Sequence, residues 1–459
     1  MINHIPDEVL LEIFDSYRQA IDSYDHQWRK RHMWISLTHV CRKWRAVVFA
    51  SASRLDLGIT VGPEKPDHIK TILSGPLPIS IDYRHMYKNI TDSALWRIHA
   101  ALRHHDRVRE ISFEGTGANF DKFIKATNCP FPSLESLVLH FRYCYESKLP
   151  DTFLRGPNLS DLHLRRLGLK HVSLTSISGF LLSATALADL SLVIDTAFNP
   201  SSETSLLACL QGMPSLCHLN LTISSESPSQ PSIPKDIVLL SKLIRFRYGG
   251  HSVFLDTLMA GLSAPSLNYV GIRLSDEIWP PSVHLPRFIN EMKERYHAVH
   301  VYFKNRGFRL LLLTRSECIN QHMPGVKLGP FLRRSSDSTI RMSCALSMKF
   351  TTVEELRLAF DNTDDDLSEN FIAWRTFLQQ FPSLKTIETD DADNYSIARI
   401  LDQDHGNPHE LSFLPVLEEI DLGQQPFHES QRGPELAAFE SFVSARQQAG
   451  RPVKVFFSR

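Results

Sequence analysis

The chain has 459 residues, of which 42% are hydrophobic and 22% are charged, and its formal net charge at pH 7 is −1. This apolar content supports a large core and excludes a mostly disordered chain. A net charge so close to zero does not attract the chain as a whole to nucleic acid or to an anionic membrane, and we expect neither as a partner.

The cysteines and the apolar runs limit the remaining classes. Seven cysteines are scattered without the paired spacing of a zinc site or a disulfide framework, so we expect free thiols, no metal and no cofactor. The sequence opens without a basic segment followed by an apolar run, and its longest apolar run, Leu310 to Leu313, is too short to span a bilayer. We therefore expect a cytoplasmic and/or nuclear protein.

Two short amphipathic helices are predicted near the start of the chain. Pro6 suits the first position of a helix, and Asp7 and Glu8 favour the positive end of its dipole. The apolar residues that follow at helical spacing are Leu10, Ile13, Phe14 and Tyr17. A second stripe on one predicted helix face consists of Trp34, Leu37, Val40, Cys41, Trp44 and Val48. Two such helices bury too little surface to be stable alone, so they need a surface to pack on.

Residues Ile5 to Phe14, together with Val40 to Arg45, resemble the F-box, a small helical module that docks onto the adaptor subunit of SCF-type cullin ubiquitin ligases. The resemblance covers residues 1–57, and it implies an all-α module. The residues that match its adaptor-facing pattern are Ile5, Pro6, Leu10, Ile13, Phe14, Leu37, Val40, Cys41 and Trp44. The alternative interpretation is an ordinary helical hairpin that packs on its own domain.

Residues 58–106 are predicted to hold a linker and the first strand and helix of a second domain. Prolines, glycines and charges mark the linker over residues 63–78. Residues 78–83 alternate as in a strand, and Thr91 is placed to cap a helix that runs to Leu102.

A repeated leucine pattern occupies residues 107–459. A leucine-like residue is followed three and five positions later by two more, usually after Pro-Ser or a similar turn; the unit from Leu384 has only the first of these two, Ile387. The units start at Val108, Leu134, Leu159, Leu187, Leu216, Leu243, Leu267, Val353, Leu384 and Leu417. Each unit predicts a short strand with its leucines inward, and neighbouring units stack to share a core. The pattern resembles the degenerate leucine-rich repeats that follow F-boxes in many fungal proteins, which implies an α/β leucine-rich-repeat-like solenoid.

Two parts of this domain depart from the period. An irregular excursion is predicted over residues 275–350, with a helix from Pro286 and strands at 298–303, 308–313 and 339–346. A C-terminal cap is predicted at 435–459, with a helix at 435–448 that buries Leu436, Phe439 and Val443, and a strand at 453–457.

The strand residues that flank the inward leucines are predicted to face the concave side of the solenoid, because strand side chains alternate. The candidate substrate-binding residues among them are His163, Arg165, His218, Arg245, Arg247, Tyr269 and Arg273. The arginines suit an acidic or phosphorylated segment. The acidic positions of the later units are Glu355, Glu388, Asp390, Glu419 and Asp421. The alternative is an ordinary solvated sheet face.

No catalytic motif is found in the sequence, and we expect no enzymatic activity. The resemblance implies a substrate-recognition subunit of an SCF-type ligase, whose partners are the adaptor, through it a cullin, and an unknown protein substrate. One alternative is a leucine-rich-repeat interaction scaffold without a ligase role. A further alternative is an enzyme whose site has no recognisable motif.

Overall fold

The structure is a computed structural model that describes residues 5–22, 34–51, 58–62, 77–83, 91–116, 121–123, 125, 127, 129–142, 164–172, 184–194, 200–223, 236–274, 284, 287–288, 296–304, 307–314, 350–360, 371–389, 401, 414–422 and 432–456. The chain divides into two compact units, residues 1–192 and 193–459. Within the described ranges, no helix has both the length and the apolar character needed to cross a membrane.

Three helices open the first unit: α1 (Asp7–Asp22), α2 (Trp34–Thr38) and α3 (Arg42–Ala50). Helix α1 begins where Pro6 predicts, and the Leu10 N–H donates to the Pro6 carbonyl at 3.1 Å. The prediction of one continuous second stripe is wrong, because Cys41 is extended (φ −159°) and separates α2 from α3. The Cys41 Sγ accepts a hydrogen bond from the Trp44 N–H at 3.5 Å, so this cysteine caps α3.

Six strands of the first unit lie in chain order in one sheet. They are β1 (Ile59–Val61), β2 (Ile79–Tyr83), β3 (Val108–Thr116), β4 (Ser136–Arg142), β5 (Arg166–Val172) and β6 (Asp189–Ile194). The pairs from β1 to β5 are parallel. Helix α4 (Asp92–Leu102) follows β2, and the predicted cap is confirmed because Thr91 Oγ1 accepts from the Ala94 N–H at 3.2 Å. A 3-10 turn, His105–Arg107, leads into β3.

The predicted frame of the third leucine unit is wrong. Strand β5 starts at Arg166, and the buried leucines are Leu164, Leu167 and Leu169. The sequence from Leu164 repeats the same three-and-five spacing as the predicted unit from Leu159, so two frames match the pattern. The β4–β5 register, with Ser136 opposite Arg166, shows which frame is used.

The second unit contains helices α5 (Pro200–Gln211), α6 (Ser252–Ala260), α7 (Phe371–Leu378) and α8 (Arg432–Gln448). Its strands are β7 (His218–Ile223), β8 (Val238–Leu239), β9 (Arg245–Gly250), β10 (Leu262–Ser263), β11 (Tyr269–Leu274), β12 (Ala298–Lys304), β13 (Gly307–Leu313), β14 (Glu355–Phe360), β15 (Thr386–Thr389), β16 (Glu419–Asp421) and β17 (Lys454–Phe456). The main strand order is β7-β9-β11-β13-β12-β14-β15-β16-β17, and β8 and β10 form a separate parallel pair.

Eight of the described leucine units, those from Leu134, Leu187, Leu216, Leu243, Leu267, Val353, Leu384 and Leu417, open with the same turn. The N–H of the unit's first apolar residue donates to the carbonyl three residues earlier, as in Leu134 to Phe131 at 3.1 Å and Leu384 to Phe381 at 3.3 Å. The next N–H donates to the preceding strand, as in Lys385 to the Glu354 carbonyl at 2.8 Å. Pro132 and Pro382 occupy the second turn position, where the fixed φ of proline is favoured. The repeated turn therefore sets the register of each strand.

Strand β13 is antiparallel to both of its neighbours, β11 and β12. Only residues 305–306 separate β12 from β13, and so short a connection permits only a hairpin. The two strands at 298–303 and 308–313 are therefore confirmed, but the sequence did not predict their direction. The predicted strand at 339–346 lies outside the described residues, as does most of the helix predicted from Pro286.

The last helix and strand, α8 and β17, occupy the predicted C-terminal positions. Phe439 is buried as predicted, whereas Val443 is only half-buried and Phe442 takes the core position. The side chain of Leu436 lies outside the described part of the structure. Overall, a short all-α segment is followed by a parallel strand-rich sheet that resembles an α/β repeat solenoid, which confirms the predicted fold class.

Candidate functional site

The N-terminal helices have a compact internal core. Its buried apolar residues are Leu10, Phe14, Leu37, Val47 and Val48. The Phe14 and Trp44 rings pack edge to face with centroids 5.0 Å apart, which joins α1 to α3. Lys43 adds a polar link, because its Nζ donates to the Ile5 carbonyl and lies 3.3 Å from Asp7 Oδ1. These contacts fix the start of α1 against α3.

Among the described side chains of this helical segment, four large apolar ones face solvent: Val9 (43% exposed), Ile13 (43%), Val40 (49%) and Phe49 (46%). We call these residues the N-terminal apolar set. Val9 and Ile13 lie one helical turn apart on the same side of α1. Exposed apolar side chains on a small segment make this segment a candidate interaction surface.

The structure separates the predicted adaptor-facing residues into three groups. Pro6, Ile13 and Val40 are exposed; Ile5, Cys41 and Trp44 are half-buried; and Leu10, Phe14 and Leu37 lie in the internal core. The last group supports the surface from within, and a contact of any of these residues with an adaptor stays a prediction. Val9 and Phe49 were missed, although the four-residue spacing from Val9 to Ile13 could have identified Val9.

The predicted substrate-binding residues of the second unit lie side by side on one sheet face. His218, Arg245 and Tyr269 are in register on β7, β9 and β11, and Asn220, Arg247 and Gly271 form the next row. Arg273 follows two residues after Gly271 on β11 and is exposed, as is Arg247. The alternating strand geometry thus brings together Arg245, Arg247 and Arg273, as the sequence predicted.

Of the two predicted first-unit members of this set, Arg165 does not lie on a strand. Arg165 lies immediately before β5, and its N–H donates to the Glu135 carbonyl at 2.9 Å. Its prediction as a strand position was wrong because the leucine frame of this unit was misassigned. His163 lies outside the described residues, as does Asp390.

Tyr269 is on the predicted face but is only 1% exposed, which corrects its assignment as an open surface residue. It belongs to a buried cluster with Ala298, Leu311 and Leu313. Strand β13 explains this burial, because its residues Leu313 and Leu311 are in register with Tyr269 and Gly271. The Arg247 guanidinium lies over the Tyr269 ring, 5.1 Å from its centroid.

The acidic end of the same face is crossed by ion pairs. Arg357 Nη1 lies 3.3 Å from Glu388 Oε1, and Lys454 Nζ lies 3.6 Å from Glu419 Oε1. His297 Nε2 is 3.0 Å from Glu355 Oε1. Two of the predicted acidic residues, Glu388 and Glu419, are therefore paired with basic side chains of neighbouring strands.

Two features of the described residues were not found from the sequence. In the first unit, Glu114 is buried on the sheet and its Oε1 lies 3.2 Å from His140 Nδ1. In the second unit, burial raises the pKa of the Cys209 thiol to about 11, so this thiol stays protonated near neutral pH. Among the described residues, no group of histidine, cysteine, aspartate and glutamate side chains is arranged to hold a metal ion.

Comparisons with known proteins add a family assignment at the N-terminal segment. A search of curated proteins finds no match. One similar solved structure is that of the Rad7 and Elc1 complex in yeast, with 11% sequence identity, a TM-score of 0.27, and coverage of 94% of this chain and 91% of that chain. Residues 2–53 match the F-box-like family model. They include α1, α2, α3 and the N-terminal apolar set, so this chain carries an F-box-like domain.

Proposed function

We propose that this protein is a substrate-recognition subunit of an SCF-type cullin ubiquitin ligase. The F-box-like domain docks the ligase adaptor, and through it a cullin, while the repeat region binds a target protein. The chain performs no chemistry of its own. It raises the effective concentration of the target near the ligase's catalytic module. This role corresponds to a cytoplasmic and/or nuclear location.

The N-terminal apolar set is the observation that carries this proposal. Ile13 and Val40 are exposed at positions that match the adaptor-facing pattern of the F-box, and Val9 and Phe49 are exposed on the same helical segment. Burying a valine or isoleucine side chain from water contributes roughly 1.5–3 kcal/mol. These side chains are close to half exposed, so an adaptor that covers all of them would gain a few kcal/mol from this set.

Co-expression of the full chain with the ligase adaptor, followed by size-exclusion chromatography, tests the proposal. We expect a one-to-one complex for the wild type and none for Ile13→Asp or Val40→Asp, because each places a charge in the apolar contact. Ile237→Asp is the matched control, since Ile237 is 58% exposed in the second unit. Circular dichroism confirms that each variant is folded.

Two results would contradict this function. If the wild type does not co-elute with the adaptor, the helices have an internal role and the chain is an interaction scaffold without a ligase role. If Ile13→Asp and Ile237→Asp both co-elute, the adaptor binds elsewhere on the chain.

A further inference from the structure

The stack of Arg247 on Tyr269 is built into the sheet. Gly271 is in register with Arg247. A Cβ at Gly271 would lie 3.1 Å from both Cε1 and Oη of Tyr269 and 3.2 Å from Cδ2 of Leu311. The tyrosine ring therefore lies along its own strand over Gly271, and the Arg247 guanidinium lies over the ring. The absence of a side chain at Gly271 makes room for this stack.

Stacking on a buried aromatic ring holds the guanidinium in one orientation while leaving its N–H groups available. Arg247 is exposed, and in the described part of the chain no carboxylate pairs with it. This differs from Arg357 on the same face, which is paired with Glu388 at 3.3 Å. Among the described residues, Arg247 is thus a pre-oriented cation without a carboxylate partner.

The strand positions nearest to Arg247 carry basic side chains and no acidic ones on β9, β11, β13 and β12. His218, Asn220 and Thr222 on β7 define three rows of residues that run across β9, β11, β13 and β12. No residue in these rows has a carboxylate side chain. Arg245 and Arg273 lie on the two strands that form the stack. Arg245 and Arg247 are two residues apart, roughly 7 Å along the strand, and Arg273 is roughly 8 Å from Arg247 across to β11.

We propose that the Arg247–Tyr269 stack binds carboxylate side chains of an extended acidic segment in the target protein, an inference that rests on the proposed target-binding role of the repeat region. In an extended segment, side chains on one side repeat at about 7 Å, which matches the spacing of Arg245 and Arg247. Carboxylates at alternate positions meet this separated charge better than one compact phosphate. The guanidinium fork pairs with a carboxylate through two parallel hydrogen bonds.

Fluorescence polarisation of the full chain with three labelled peptides tests this inference. The first peptide has glutamates at alternate positions between serines and glycines, the second has glutamines in their place, and the third has glutamines and one phosphoserine. We expect the glutamate peptide to bind, with an affinity that falls as salt is raised, and the glutamine peptide not to bind.

Matched single-charge variants locate the binding site. Arg247→Gln removes the charge-assisted hydrogen bonds between Arg247 and one carboxylate of the peptide. The affinity for the glutamate peptide should therefore fall roughly tenfold or more. Arg357→Gln removes the same charge from the same face four strands away, roughly 19 Å, and should change affinity less than about twofold because this exceeds the screening length. Tyr269→Phe keeps the ring and should keep the affinity. Gly271→Ala displaces the ring and should weaken binding without removing a charge.

Three results would overturn the proposal: no preference for glutamate over glutamine, equal effects of Arg247→Gln and Arg357→Gln, or binding of the phosphoserine peptide alone. Adaptor co-elution is measured on the same variants. It should be unchanged in Arg247→Gln, so a failure of the peptide result is distinguishable from a failure of the ligase role.

Discussion

Arg446 offers a direct test of how the C-terminal helix is attached to the last leucine unit. It is a charged residue only 2% exposed, on α8. Its Nη1 donates to the Leu414 carbonyl and its Nη2 to the Leu417 carbonyl, both at 3.1 Å. These two carbonyls bound the turn that opens the unit, where Leu414 has a positive φ of 47°. One side chain thus satisfies both ends of a strained turn.

Arg446→Met keeps the length of the side chain and removes the guanidinium. Two charge-assisted hydrogen bonds contribute roughly 1.5–3 kcal/mol each. The variant also no longer has the desolvation cost of a buried charge, which offsets part of this loss. We therefore expect a net decrease of about 2–4 kcal/mol in the free energy of unfolding. Arg446→Lys keeps the charge but cannot reach both carbonyls with a planar fork, and it should fall between wild type and Arg446→Met.

Urea denaturation measures the loss, and hydrogen exchange locates it. Peptides from residues 414–422 and 432–456 should exchange faster in Arg446→Met, while peptides from the first unit should not change. Gln447→Met is the control, because Gln447 lies next to Arg446 on α8 and is exposed. Surface changes of this kind are usually within about 0.5 kcal/mol. Equal stability of the two methionine variants would refute the reasoning.

Three further predictions concern the two surfaces and the buried ionisable groups. Trp44→Ala removes the ring that packs on Phe14, so it should lower the free energy of unfolding by roughly 3 kcal/mol and also weaken adaptor binding. Ile13→Asp should weaken adaptor binding alone, and thermal unfolding measured beside co-elution separates the two effects. An unaffected melting temperature in Trp44→Ala would count against its packing role. The Oη of Tyr269 is buried without a hydrogen-bond partner among the described residues, so Tyr269→Phe should be neutral or up to about 1 kcal/mol more stable in urea; a clear loss of stability would show that the hydroxyl has a partner. Burial raises the pKa of Tyr296 above its usual value of 10.0, and that of Cys209 from 9.0 to about 11. The unfolded chain loses these protons first as the pH rises. The stability that these two groups contribute is therefore constant below about pH 9, and above it falls by up to about 1.4 kcal/mol per pH unit for each group. Tyr296→Phe should flatten this decline above pH 10 in urea titrations, and an unchanged slope would contradict the assignment.

The leucine spacing predicted the strands well because each one depends on a local pattern. Units such as Leu216, Leu219 and Leu221 place their apolar residues inward by strand alternation alone. The frame around Leu164 failed for the same reason, since two overlapping sets of leucines satisfy the pattern and only the pairing with β4 decides between them.

Features that depend on non-local packing were beyond the sequence pattern. The pattern of its own strand predicts that Tyr269 is exposed to solvent. Strand β13 pairs with β11 in the antiparallel direction and buries Tyr269. In the F-box-like domain, helical spacing placed Ile13 and Phe14 in one stripe, while the contact with Trp44 draws only Phe14 into the core. The apolar stripe was predictable, and its division into core and surface required the third helix.

Hydrogen exchange of the full chain, with and without the ligase adaptor, tests the central claim most directly. We predict slower exchange in peptides that contain Val9 to Phe14 and Val40 to Trp44, with the repeat strands unchanged. Protection confined to the repeat region, or no protection in the F-box-like domain, would contradict adaptor docking through this surface.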